Sequence, residues 1–530
     1  MKYLRNIAKP PTQHEPLAGQ VVNSAGGYSY PVDSWKRLDR FLVLGSESGS
    51  YYAKEQALTR ENANAVLACI AEDGVRAVRR IVEISEAGRA PKNDPALFAL
   101  ALAAASDSRD TRRAAFDALP RVARIGTHLL HFADYLNGLR GWGRGARAGL
   151  ARWYSEQDPA RLALQVVKYR QRDGWTHRDI LRLAHPVVHG VRQDILYWVA
   201  KGWPYVGEAP HPDPVLQLIW AYERAQRATD VREIVRLIAD YQLPREAIPT
   251  QWLTEHDVWA ALLPHMPLEA LTRNLATMTR VGLIAPLSEV SQAVCARLGN
   301  VETIRRARLH PIKLLAALLT YQAGHGARGQ HTWTPTPQVV DALDSAFYLA
   351  FGAIEPTHKR MVLALDVSGS MGGGQIAGVP GLSPRVGSAA MALITAATER
   401  NYHVMAFSSQ FVPLAISPRQ RLDDALKAVS GLPFSATDCA LPMLWAIQQR
   451  VEADAFLIYT DSETWAGKTH PATALQQYRQ AFGIGAKLVV VGMVSNGFSI
   501  ADPNDAGMLD IVGFDTAAPA VMSDFIAERA

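Results

Sequence analysis

Apolar residues in the first two-thirds of the chain recur every three to four positions, the spacing of helices that bury one face. Residues 62–71, 96–105, 110–119, 161–172, 215–226 and 311–322 all follow this rule, with short Gly, Pro and Asp breaks between them. The pattern predicts helices from about residue 35 to 345 and little strand. No motif repeats at a fixed period, which excludes tetratricopeptide and ankyrin arrays. Irregular helix pairs of roughly 40 residues fit either a HEAT-like solenoid, whose pairs must stack to bury their apolar faces, or an irregular helical bundle.

Near residue 358 the period changes. Short, largely apolar runs at 361–365, 402–407, 455–460 and 487–493 alternate with helical segments at 386–400, 421–429, 440–451 and 472–482. Such alternation predicts a doubly wound α/β domain with a parallel sheet covered on both faces. The expected division is therefore an all-α domain over residues 1–357 and an α/β domain over 358–530. In doubly wound sheets, ligands sit at the carboxyl ends of the strands, which is where Asp366 and Asp461 fall.

At 530 residues, two to four domains are expected, and 48% hydrophobic with 20% charged residues excludes a wholly disordered chain. Three widely spaced cysteines (Cys69, Cys295, Cys439) exclude a disulfide framework and a CxxC zinc site, and fit a reducing cytoplasm. The first sixteen residues lack the apolar run of an export signal, and no stretch approaches the ~20 apolar residues of a membrane span. A soluble, cytoplasmic protein is expected. The formal charge is +5, and it is unevenly placed: residues 356–530 carry a net −3, residues 1–355 a net +8.

The positive excess is densest between Arg140 and Arg192. Arg140, Arg144, Arg147, Arg152, Arg161, Lys168, Arg170, Arg172, Arg178, Arg182 and Arg192 face only Glu156, Asp158, Asp173 and Asp179, with Trp142, Trp153, Tyr154, Tyr169 and Trp175 interleaved. On helical geometry Arg161, Lys168 and Arg172 share one face, and Arg178, Arg182, His185 and His189 another. Pro186 ends or kinks the second helix at His185, exposing the imidazole. Two cationic helix faces joined at Asp173 and Gly174 form a groove of the kind that tracks phosphates, and the aromatics can stack on unpaired bases. An ordinary solvated face is the competing reading.

The second candidate site lies at the strand tips. Asp366, Ser368 and Ser370 follow the first α/β strand in an Asp-x-Ser-x-Ser loop that aims one carboxylate and two hydroxyls at one spot. Thr437, placed at the opening of a helix, and Asp461, after a strand, can complete an oxygen shell for a hard cation, Mg²⁺ above all, with Ca²⁺ and Mn²⁺ as alternatives. Taken alone, Asp-x-Ser-x-Ser is also a common helix cap. Other candidates are weak. His128 and His131 have metal-ligand spacing without a third ligand, and residues 45–50 (GSESGS) form a polar loop rather than a nucleophile elbow. No Gly-rich loop ends in Gly-Lys-Ser/Thr, and nothing assembles a nucleophile, base and oxyanion site.

The five oxygen residues resemble the metal-ion-dependent adhesion site of von Willebrand factor A domains. That resemblance implies Ser368, Ser370 and Thr437 as direct ligands, Asp366 and Asp461 acting largely through water, and an open position for an acidic partner group. Over nearly the whole chain, the sequence resembles the Ro ribonucleoprotein autoantigen family, which joins a TROVE domain to a C-terminal von Willebrand factor A domain. The resemblance is carried by residues 41–52 (FLVLGSESGSYY), 168–179 (KYRQRDGWTHRD), 310–318 (HPIKLLAAL) and 436–442 (ATDCALP). It implies a ring of HEAT-like helix pairs closed by the A domain, with small noncoding Y RNA on the outer surface and single-stranded 3′ ends of misfolded or defective RNAs in the central hole. By motif match Lys168, Arg172 and His185 are the Y-RNA-contacting positions; Arg170 belongs to the same run, and Arg144, Arg147, Arg178 and Arg182 extend it. Bacterial members imply a tether through Y RNA to polynucleotide phosphorylase or another exoribonuclease. A noncatalytic monomer is expected. The alternative is a protein-interaction scaffold with a cation-dependent adhesion module and no RNA role. A metal-assisted nuclease lacks the several acidic ligands that two-metal hydrolysis draws on.

Overall fold

The computed structural model describes residues 15–23, 26–45, 58, 63–90, 92–325, 331–352, 356–373, 376, 382–418, 420–430, 432, 436–494, 497–513 and 518–527. The polar loop expected at 45–50 lies, beyond Gly45, outside the described residues, as do residues 46–52 of the first family segment and residue 62 of the first expected helix.

Two short strands, β1 (Val21–Val22) and β2 (Tyr28–Pro31), precede helix α1 (Ser34–Leu44). Asp33 caps α1 by accepting from the Lys36 amide at 2.8 Å, and Gly45 ends it in the left-handed region. Helices α2 (Asn64–Ala87), α3 (Asp94–Ala105), α4 (Arg109–Val122), α5 (Gly126–Leu139), α6 (Arg144–Glu156) and α7 (Pro159–Lys168) follow. Alternate helices stack: α2 on α4 and α4 on α6 in one layer, α3 on α5 and α5 on α7 in the other. Between the layers α3 is buried from Pro95 to Ala104, so its Ala/Leu sequence carries no polar stripe. Of the two architectures that fit the pattern, the HEAT-like solenoid is the one observed.

The expected helix over 161–172 stops at Lys168. A hairpin follows, β3 (Gln171–Arg172) paired antiparallel with β4 (Trp175–Thr176), and then α8 (His177–Ala184) and α9 (Val191–Lys201). Asp173 (φ 51°) and Gly174 (φ 80°) both occupy the left-handed region, as a two-residue hairpin loop with the strands' own twist demands. Further helices continue to the last of this half, Pro337–Leu349.

The C-terminal sheet contains β5 (Met361–Asp366), β6 (Tyr402–Phe407), β7 (Phe411–Pro413), β8 (Ala455–Thr460) and β9 (Lys487–Gly492). A two-residue strand, β10 (Phe498–Ser499), lies outside it, and β11 (Met508–Val512) completes it. Its order is β11-β9-β8-β5-β6-β7, parallel throughout except for the antiparallel edge strand β7. Alternate residues serve opposite faces: Leu363, Leu365, Tyr459 and Val491 pack with the helical half's core, while Val362, Ala364, Phe456 and Val490 pack with Tyr30 in a second cluster. The chain moves from β5 outward to β6, then returns to the other side of β5 at β8. This reversal puts the topological switch point between the ends of β5 and β8, beside Asp366 and Asp461.

Both ends of the helical half dock on this domain. Near the start, β2 pairs with β10, and the buried Arg40 of α1 ion-pairs with Asp510 of β11. At the far end, Arg421 pairs with Asp341, and the Tyr348 hydroxyl donates to the Gln420 carbonyl at 3.2 Å. Within the solenoid, Arg308 donates to the Glu86 carbonyl, joining late helices to α2. The result is a closed HEAT-like ring.

Candidate nucleic-acid interface and metal centre

The helix caps explain how the basic stretch is displayed. Asp158 caps α7, accepting from the Arg161 amide at 3.0 Å, with Pro159 in the first turn. A capping box opens α8: the Thr176 hydroxyl accepts from the Asp179 amide, and the Asp179 carboxylate accepts from the Thr176 amide. His185 closes α8 with φ 45° and its amide bonded to the Leu181 carbonyl, so Pro186 does end the helix there and the imidazole is exposed. Two spacings fail. Arg172 lies on β3, not on a helical face with Arg161 and Lys168, and His189 lies in the loop before α9, not on α8 with Arg178 and Arg182.

The eleven cations separate into two groups. Arg140 donates to the carbonyls of Ala105 and Ser106, Arg161 to Arg124, and Arg192 to Gln157, while Arg152 pairs with Asp117 at 2.5 Å. Those four brace the solenoid. Among the described residues, Arg144, Arg147, Lys168, Arg178 and Arg182 have no carboxylate partner, and all but the half-buried Lys168 are exposed. Arg172 is 56% exposed, with the adjacent Asp173 at 3.6 Å. Arg170 is held: its guanidinium lies over Trp198 (5.7 Å) and Tyr222 (4.8 Å) and donates to the Tyr222 hydroxyl.

The aromatics divide likewise. Trp153 and Tyr154 are buried core. Trp142 and Trp175 remain half-buried with ring centroids 5.1 Å apart, which draws the start of α6, with Arg144, beside the hairpin bearing Arg172. Tyr197 (59% exposed) and Tyr205 (81%) lie outside the stretch the sequence singles out. The histidine pair is structural: His131 bonds Asp173, and burial holds His128 down at about 3.

At the tip of β5, Asp366, Ser368 and Ser370 are all buried, as are Thr437 and Asp461. Asp366 accepts from the Ser368 amide (2.9 Å) and the Thr460 hydroxyl (2.7 Å), and the hydroxyls of Ser368 and Ser370 lie 3.0 Å apart. Arg385 donates to the carbonyls of Val367 and Ser368, fixing the loop from behind. Thr437 does not open a helix, since the next begins at Leu441. Its carbonyl instead accepts from the amides of Trp465 and Ala466, tying its loop to the one that follows Asp461. Burial, and then the charge of Asp461, raises the Asp366 carboxyl; burial raises Asp461 as well. Two carboxylates disfavoured by burial, surrounded by hydroxyls and without thiolate or imidazole, are a donor set suited to a hard divalent cation.

The loop after Asp461 also carries the N-terminal arm. The Ser29 hydroxyl donates to the Ser462 carbonyl (3.0 Å), the Asn23 amide group to the Thr464 carbonyl (2.8 Å), and His470 to the Glu15 carbonyl (2.8 Å). Among the described residues, no helix is long and apolar enough to cross a membrane.

Comparison with known proteins agrees with this fold. Residues 21–208 and 236–320 match the TROVE domain model, and residues 360–526 match the Ro60 vWA domain model. The chain is 45% identical to the RNA-binding protein RO60 of Deinococcus radiodurans, over 96% of this chain and 95% of the relative. It is 35% identical to the RNA-binding protein RO60 of Caenorhabditis elegans, over 99% of this chain and 92% of that one. The crystal structure of the Deinococcus radiodurans RO (RSR) protein superposes with a TM-score of 0.72 at 44% identity, covering 94% of this chain and all of the other. A TROVE solenoid closed on a Ro60-type A domain, matched over nearly its full length, makes this chain a member of the Ro family.

Proposed function

We propose that this chain is a noncatalytic RNA-binding ring. Its outer surface binds small noncoding Y RNA, and its central hole takes the single-stranded 3′ ends of misfolded or defective RNAs. The observation that carries the reading is the cluster of cations that, among the described residues, have no carboxylate partner: Arg144, Arg147, Lys168, Arg178 and Arg182, together with Arg172 and His185 around the hairpin. A folded chain gains nothing from gathering like charges at its surface, whereas a polyanion releases its counterions on meeting them. Arg170, held on two aromatic faces, positions the hairpin. The relatives named as RNA-binding proteins support the same reading.

On this proposal the chain presents structured RNA to an exoribonuclease such as polynucleotide phosphorylase, in noncoding-RNA quality control, ribosomal RNA maturation or decay, and stress survival. It acts as a cytoplasmic monomer. Ser368, Ser370 and Thr437, with Asp366 and Asp461, would hold a divalent cation, Mg²⁺ before Ca²⁺ or Mn²⁺. Such an ion would offset the two buried carboxylates and give an acidic partner group a coordination position. The test is sequencing of RNA that copurifies with the intact protein. Small structured RNAs and RNAs with free 3′ tails are expected; RNA no different from that recovered with an unrelated basic protein would overturn the reading.

A further inference from the structure

Early and late helices of the ring meet at a second cluster of arginines, three of which lie outside the basic stretch. Arg121 lies in the last turn of α4 and Arg124 just beyond it, Arg161 in the first turn of α7, and Arg308 closes the helix Val301–Ala307 in the left-handed region with φ 46°. Arg121, Arg124 and Arg308 converge on the C-terminal end of α2, and Arg161 reaches the Arg124 carbonyl. Arg121 takes the Glu86 carboxylate bidentately, at 2.7 and 2.6 Å. Arg124 donates to the carbonyl and hydroxyl of Ser85 at 2.9 and 2.8 Å, Arg308 to the Glu86 carbonyl, and Arg161 to the Arg124 carbonyl at 3.0 Å.

Among the described residues, three of these four guanidiniums therefore donate only to neutral oxygens. The Glu86 carboxylate at the seam is already occupied by Arg121. The Arg124 charge is disfavoured by burial and then by Arg308 across the junction, and Glu86 offsets part of this. Lys313 stands on the next helix, paired with Glu269 at 3.1 Å. Arg308 is exposed, and Glu86 is 40% exposed, so the cluster opens to solvent.

We infer that Arg124 and Arg308 form an anion site for the phosphodiester groups of a single RNA strand, whose binding joins early helices of the solenoid to late ones. Guanidinium forks suit phosphate oxygens, and each added phosphate would relieve repulsion that the closed ring otherwise bears. The inference rests on the RNA-binding reading and deepens it: the Lys168–His185 surface and this seam would be separable binding surfaces on one molecule.

The experiment is fluorescence anisotropy with a labelled ten-nucleotide uridine oligomer across a salt series, using the full chain. Arg124→Gln and Arg308→Gln are each expected to weaken binding about tenfold, as removal of one charge-assisted hydrogen bond does. Each should also reduce the salt slope by about 0.7 for every phosphate it no longer neutralises. Arg308→Lys should retain part of the affinity, and Arg305→Gln, whose side chain pairs with Glu302, should bind as wild type. Arg308 is exposed, so its variants test the site even if Arg124→Gln unfolds. Wild-type affinity and slope in both Arg308 variants would overturn the seam assignment. Inorganic phosphate at matched ionic strength that displaces the oligomer completely would reassign the site to free anions and overturn the strand. A wild-type protein that binds no oligomer or structured RNA would instead overturn the broader reading.

Discussion

Arg172 and Trp175 are register partners across a two-residue turn, one exposed cation and one half-buried ring on adjacent strands. The turn orients both. With Asp173 and Gly174 in the left-handed region, Arg172 is projected outward while Trp175 packs on Trp142. Charge reversal of Lys168 and Arg172 together should lower Y-RNA affinity at least a hundredfold, at roughly tenfold per charge-assisted hydrogen bond, and flatten its salt dependence. Gel-shift titrations at several salt concentrations check this. Unchanged binding would mean that the track lies elsewhere.

The turn itself is testable. Gly174 has φ 80°, where a β-branched side chain is strained. Gly174→Val should destabilise the hairpin by about 1–3 kcal/mol and weaken RNA binding without removing a charge. Gly174→Asn, which tolerates the left-handed region, should retain most of both. Equal behaviour of the two variants in thermal melts and binding would contradict this account.

Acid should loosen the ring beneath this surface. Burial depresses His128 to about 3 and His177 to about 4, both below the ordinary 6.5. With folded values depressed, the unfolded chain takes up protons first. The stability present above about pH 6.5 is lost as pH falls toward 4, by up to about 1.4 kcal/mol per pH unit for each histidine. Melting temperatures from pH 7 to 4 should show the decline, and His177→Gln should make it shallower. An identical pH profile in that variant would refute His177's share.

At the proposed metal centre, removal of one carboxylate should act in opposite directions with and without cation. Asp461→Asn relieves two buried like charges, so the metal-free variant should be more stable than metal-free wild type by about 1–3 kcal/mol. Millimolar Mg²⁺ should raise the melting temperature of wild type and leave the variant unmoved. A wild-type protein whose melting is the same in Mg²⁺ and EDTA would argue against the site.

Gly27 is the tightest point of the arm. A Cβ there would overlap the Thr464 carbonyl oxygen and the Trp465 backbone. Gly27→Ala should cost about 1–3 kcal/mol through overpacking and expose the segment around Val21–Pro31 to limited proteolysis. Protection equal to wild type would show that the arm yields without undocking.

Legibility in the sequence follows the range of the interactions. Strands β5 and β8 are plain because a fully buried strand needs an unbroken apolar run, and Asp366 and Asp461 because they cap those strands in order. The cationic residues are also visible, yet the helix expected over 161–172 stops short. The aliphatic stripe continues past Lys168 only by coincidence with Tyr169, and Asp-Gly, a strong hairpin signal, outweighs it. The apolar spacing that resumes at Cys439 suggests a helix at Thr437, but that loop is held by Trp465 and Ala466, which lie nearby only in the fold. Long-range pairings are least visible. Nothing in the local pattern around Arg124 or Arg308 announces that they meet, and nothing around Asn23 points to Thr464.

That last pairing has a kinetic meaning. Asn23 leaves the ribosome 441 residues ahead of the carbonyl it must bond. At about 5–20 residues per second, roughly 20–90 s separate the two events. Val21 and Val22 can pair with β2 at once, but throughout that interval the other edge of β2, at Tyr30 and Pro31, lacks its partner β10. Docking of the arm is thus among the last steps of folding, set by the distance in sequence between Asn23 and Thr464.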